Sequence, residues 1–209
     1  VFNDTPRRLG EAAGWVRPDL VYALLLANPT LNATGRALFN STDANLLTTA
    51  ALQSSKLKAA ITAMRLFAES GRTLNLRATH LIVPPTLEWT AAELLQSAAI
   101  VIAGTAGSVT ERGTANTLSG KATFISEGRL ENGVTDPDSG TAYSGSASTW
   151  FLASTETNTI EVSYLSGSGR SPVIDSWKLS EGKYGLGWSV KLDIGAAAME
   201  WRGLIKNTA

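Results

Sequence analysis

The sequence holds one histidine, His80, and no cysteine. Any Ser–His–Asp relay would have to run through that imidazole, because a base must take the nucleophile's proton. No serine sits in a G-x-S-x-G elbow, and Leu165-Ser-Gly-Ser-Gly-Arg-Ser171 reads as a turn. His80 precedes an apolar run and reads as a core or strand-end residue. Zinc held by a single His needs several carboxylates, and none are suitably clustered. Asp136 and Asp138 are a carboxylate pair, but Asp136-Pro-Asp-Ser-Gly140 is a turn signature, so they read as solvated charge. Ala115-Asn-Thr-Leu-Ser-Gly-Lys-Ala122 approaches a phosphate loop and fails at both ends. Ala115 stands where the first glycine belongs, and Ala122 where the magnesium-binding hydroxyl belongs. Gly104-Thr-Ala-Gly107 lacks the spacing of a dinucleotide fingerprint. No catalytic, cofactor-binding or metal-ligating residue is therefore expected, and no small-molecule substrate.

These residues are set among regular elements. Over Thr5–Asn28, Leu9, Ala13, Val16, Leu20, Leu24 and Ala27 recur at helical spacing. Thr5 is the expected cap, Pro6 suits the first turn, and Asn28-Pro29 closes the run. Pro18 lies inside and presses on the carbonyl of Gly14, four residues back. The reading is one long helix kinked there, with two short helices as the alternative. A second helix is expected over Ser54–Ser70, capped by Ser54 or Ser55 and ended by Gly71. A buried strand Thr79–Val83, a helix Thr86–Ser97 and a strand Ala98–Ala103 read as a mixed α/β unit. Gly104–Gly120 reads as an exposed loop, Ala122–Ser126 as a strand, and Gly128–Ser148 as a surface loop or short hairpin.

From Thr149 the pattern turns to β. Strands are expected in TWFLAS, TIEVSYL, PVIDSWKLS and GWSVKLDIG, the second and last with period-two alternation. Trp150, Trp177, Trp188 and Trp201 lie in this part, so its sheet needs a large apolar partner, and the first helix is the candidate. The two ends of the chain would then form one body, with the middle inserted as another.

The chain has 209 residues and equal basic and acidic counts, 18 each. Zero formal charge gives no electrostatic reason to bind nucleic acid or an anionic membrane, and little self-repulsion between copies. No apolar run approaches the ~18 residues of a membrane span, and no signal peptide is evident. The chain opens at Val1 almost directly on a helix, so a preceding segment is expected.

Five blocks carry a resemblance across nearly the whole chain. They are PRRLGEAA…DLVYALLLANPTL, GRALFN…NLLTTAAL, LRATHLIVPPTLE, WFLAS…IEVSYLSG and VKLDIGAAAMEWRGLIKN. In this order they resemble the major head subunit of Mu-like phages and prophages. The resemblance implies an α+β fold of the Hong Kong 97 capsid type. Its peripheral domain, a long spine helix on an antiparallel sheet, would comprise residues 1–29 and 146–209. An inserted mixed α/β axial domain would comprise residues 30–145. It places an N-terminal arm and an extended loop upstream of Val1. The implied function is structural: copies of the chain join as pentamers and hexamers of an icosahedral shell. The shell encloses DNA without reading its sequence. It forms in the host cytoplasm and belongs to the virion, with no membrane partner, no cofactor and no catalysis. Gly104–Gly120 is then a candidate subunit contact. The alternatives are a virion or tail binding module using the Trp-rich sheet, and an enzyme dependent on His80.

Overall fold

The computed structural model describes residues 4–48, 51–101, 113–167 and 169–208. In chain order the elements begin with α1 (Asp4–Ala27), β1 (Leu46–Thr48) and α2 (Ser54–Leu66). A small hairpin follows, β2 (Ala68–Glu69) and β3 (Arg72–Thr73), then β4 (His80–Val83). A 3-10 turn at Pro85–Leu87 leads into α3 (Glu88–Gln96). Next come β5 (Ala99–Val101), β6 (Gly113–Ala115), β7 (Thr123–Ser126), the single-turn α4 (Arg129–Asn132), β8 (Val134–Thr135) and β9 (Ala142–Tyr143). The last part is all β: β10 (Trp150–Ala153), β11 (Ile160–Tyr164), β12 (Val173–Lys178), β13 (Leu186–Lys191), β14 (Ile194–Ala198) and β15 (Leu204–Thr208). The class is mixed α+β, as the sequence implied.

Helix α1 runs unbroken through Pro18, so the two-helix alternative falls away. Asp4 and Thr5 both lie inside it, and Thr5 is not the cap. Asp4 instead takes ion pairs from Arg7 and Arg8 on the next turn, where a carboxylate also meets the positive end of the helix dipole. The C-terminal stop is a left-handed Asn28, φ 52°. Its side chain explains why asparagine tolerates that conformation here. The amide donates to the Phe39 carbonyl at 3.0 Å, and its oxygen accepts from the Phe39 N–H at 2.6 Å. The clamp ties the helix end to the Leu38–Phe39 segment, which is fully buried.

A five-stranded sheet, order β1-β15-β10-β4-β7, forms the centre. Pairings are parallel at its two margins, β1–β15 and β4–β7, and antiparallel between. Leu81, Val83, Trp150, Leu152 and Ile205 share one face and are buried under Leu57, Ala60 and Met64 of α2 and Ala91, Leu94 and Leu95 of α3. On the other face Phe151 packs against Phe39, ring centroids 5.5 Å apart. Strands from residues 30–145 and from residues 146–209 thus hydrogen-bond in one sheet, and a boundary at 145/146 runs through it.

Several local expectations change. The second helix ends at Leu66. Ser70 and Gly71, both at positive φ, make the tight turn of the β2–β3 hairpin rather than a helix cap. The N-cap of α2 is Gln53, not Ser54 or Ser55. The expected β4–α3–β5 unit is instead β4–α3–β7, and β5 pairs only with β6. Periodicity could not exclude the other arrangement, because a short apolar run after a helix reads alike whether it joins the sheet or pairs in a hairpin. The expected last strand, GWSVKLDIG, breaks at Leu192-Asp193 into β13 and β14.

Helix α1 lies against β12, β13 and β14, and also against α4, β8 and β9. The β11–β14 and β12–β13 pairs form one long ribbon, joined where the Leu165 N–H donates to the Asp193 carbonyl at 3.3 Å. Arg17 of α1 donates to the Arg170 carbonyl at 3.0 Å, and both guanidinium groups stack on Tyr164, at 5.4 and 5.9 Å. Arg129 of α4 pairs with Asp19 of α1 at 2.5 Å and with Glu127 at 3.0 Å. Helix α1 is thereby pinned on both flanks.

The tryptophans divide between two bodies, which corrects the single covered sheet expected for them. Trp150 and Trp201 belong to the core under α2, where Trp201 meets Phe67 edge-on at 5.1 Å. Trp188 is half-buried on the ribbon, and Trp177 remains 49% exposed.

Candidate functional site

The groups singled out for chemistry are held in structural roles. His80 opens β4, half-buried, with Nδ1 2.9 Å from the Thr79 hydroxyl. That hydroxyl donates to the Ala153 carbonyl at 3.1 Å. No carboxylate bonds the imidazole among the described residues, so the relay lacks its third member.

The phosphate-loop look-alike is turned inward. The buried Asn116 amide donates to the carbonyls of Leu94 and Ser97, at 2.8 and 2.9 Å, and its oxygen accepts from the Leu118 N–H at 2.9 Å. The Gly120 N–H donates to Leu95 and the Lys121 N–H to Leu118. A phosphate cradle needs free backbone N–H groups, and these two are already used, the first to close the end of α3 and the second within the loop's own turn. Gly104–Gly107 and the expected contact loop up to residue 112 lie outside the described residues.

Asp136 is the hub of its own turn. It accepts from the Ser139 hydroxyl at 2.7 Å and the Asp138 N–H at 3.1 Å. The Ser139 hydroxyl first, then the backbone N–H groups of Asp138 and Ser139, holds its carboxyl below the usual range. Asp138 joins it only through its backbone, and no metal-competent group of His, Cys, Asp or Glu occurs among the described residues.

A cleft of about 800 Å³ lies between the start of α2 and the end of α3. Lys58 and Glu93 are its charged lining residues, beside Ser54, Ser55 and Ser97. The Ser97 hydroxyl donates to the backbone carbonyl of Glu93, not to a side-chain base. A second cleft of about 290 Å³ separates the C-terminal half of α1 from the Asp136 turn and β14.

Lys206 is the residue that pattern reading passed over. It sits mid-strand on β15, half-buried, with Nζ 5.8 Å from the Phe39 ring centre and 5.7 Å from that of Phe151. Burial pushes its pKa down from 10.5. The folded state therefore gives up the proton before the unfolded chain does. Stability is reduced while the amine is charged and recovers as pH rises from the depressed pKa toward 10.5. Lys206→Met is expected to raise the melting temperature at pH 7, with the gap narrowing at alkaline pH in a pH series of thermal melts. The cation–π contacts offset part of the burial cost and keep the gain to a few degrees. A variant less stable than the native chain at pH 7 would refute this account.

What remains prominent is surface. The exposed large apolar side chains include Val173, Ile174, Trp177, Leu179, Tyr184 and Leu186, all on one ribbon, with Trp15 and Trp89 exposed elsewhere. Alternation marked these strands in the sequence, but it does not say which face a helix will cover. No helix among the described residues is long and apolar enough to cross a membrane.

No curated protein matches the chain. Among solved structures, a chain of the holo-SrpI encapsulin complex from Synechococcus elongatus PCC 7942 is similar at 12% identity and a TM-score of 0.42. The similarity covers 90% of this chain and 61% of that one, so this chain spans under two thirds of its length. A family model described as phage capsid protein matches residues 1–207. With a match that long, the chain belongs to the phage capsid protein family.

Proposed function

We propose that this chain is the major head subunit of a tailed phage or prophage, of the Mu-like kind, built on the Hong Kong 97 plan. The observation that carries the reading is α1 lying along the β12–β14 ribbon, the arrangement expected of a spine helix on its sheet. In this reading α1 and the ribbon are the heart of the peripheral domain. The five-stranded sheet with α2 and α3 belongs to the axial domain, to which β10 and β15 from the later part of the chain return. Copies associate in rings and then in a closed icosahedral shell, many weak contacts being summed by symmetry. Zero formal charge suits a container that holds DNA without reading its sequence. The place of action is the virion, after assembly in the host cytoplasm.

Electron microscopy of the protein produced from its intact gene tests this. Closed shells or free capsomers are expected. A product that forms neither, at any concentration or salt, refutes the reading. The second reading, a virion binding module, draws only on the exposed Trp177 and Tyr184, since Trp150 and Trp201 lie in the core.

A further inference from the structure

The β12–β13 ribbon has two unlike faces. Ile174, Trp188 and Val190 share one, and this face meets α1: a Cβ added at Gly10 would touch the Ile174 side chain at 3.4 Å. Val173, Asp175 and Trp177 share the other face, which no described element covers. Trp177 is fixed there by its cross-strand partner. A Cβ at Gly187 would fall 2.4 Å from the Trp177 ring, so the indole lies flat over a strand position without a side chain. Leu179 is seated on Gly185 in the same way, at 2.9 Å. Tyr184, at 104% relative exposure, stands at the tip beside Leu186. Neither outer edge of the ribbon pairs with another strand among the described residues.

We infer that this outer face and tip dock onto a second copy of the chain, with Trp177 and Tyr184 as the anchors. The choice of partner rests on the shell reading above. Its size argues for a protein surface. The exposed apolar side chains of that face and tip, Val173, Trp177, Leu179 and Tyr184, weighted by their exposure, present roughly 500 Å². That is in the upper part of the range for a patch on a monomer, and over half of the ~800 Å² per side of a standard interface. A flat, preset indole loses little freedom on binding, the property of an anchor residue. The face carries both signs, Asp175 and Lys191 near Val173, with Glu181 and Lys183 towards the tip, so two neutral copies can face each other without net repulsion.

The test compares the full chain with Trp177→Ser/Tyr184→Ser by sedimentation velocity over a concentration series, with electron microscopy of both. Exposed positions leave the fold intact, which far-ultraviolet circular dichroism checks. Concentration-dependent association of the native chain, weakened roughly 30-fold or more in the variant, is expected. Unchanged association of a folded variant overturns the inference. So does a native chain that stays monomeric, including one that instead holds lipid vesicles through the ribbon. Equal shells from both proteins would sink the ribbon contact and leave the head-shell reading standing. Ribbon-dependent rings that never close would do the reverse.

Discussion

Replacing Trp150 with alanine is expected to lower the unfolding free energy by about 3–5 kcal/mol. The indole is fully buried, on β10 near the middle of the sheet, and belongs to the core formed with α2 and α3. Its removal loses both the transfer energy and the contacts of the walls left around the void. Urea unfolding with an unchanged m-value measures the loss. Trp177→Ala, half-exposed on the ribbon, is the contrast, with a loss near 1 kcal/mol or less. Equal losses at the two sites would mean that the sheet is not the centre of stability.

The second large effect is expected at Gly133. Its φ of +82° is a conformation side chains resist, and a Cβ there would stand 2.4 Å from the Tyr143 carbonyl oxygen and 3.0 Å from the Gly145 nitrogen. Both atoms are backbone and cannot rotate away. Strain and overpacking together give about 2–4 kcal/mol for Gly133→Ala. Gly120→Ala isolates the first contribution. Its φ is +69° with nothing within 4 Å, so about 1 kcal/mol is expected. Similar losses in paired thermal melts would remove the steric argument and loosen the α4–β8–β9 corner on which α1 rests.

What could be read from the sequence was what local pattern encodes. Helix α1 announced itself through three- and four-residue spacing, and β11 through strict alternation. Strands β4 and β7 were legible as short apolar runs bounded by turn residues. Strands β1 and β15 were not. Leu46–Thr48 and Leu204–Thr208 are short and bear polar residues, and β1 takes its regularity from pairing with β15 across most of the chain, as β15 does from β1 and β10. Parallel pairing at that separation leaves no periodicity behind. The same limit hid the allocation of the tryptophans, because which body buries an indole is a tertiary fact. The ribbon's open face had one sequence signal, glycines at 185 and 187 facing a strand that carries Trp177 and Leu179. A glycine-for-side-chain vacancy opposite an aromatic is a platform, and alternation alone reads it only as a strand. One histidine and no cysteine leave few catalytic constellations to test in the sequence.

The position of β15 between β1 and β10 reaches into biosynthesis. A ribosome must deliver the chain through Leu204–Thr208 before the central sheet can close, so the sheet waits on a strand translated long after β1. Until then β1 lacks its hydrogen-bonded neighbour and one side of β10 stands open, a template for wrong partners on adjacent nascent chains.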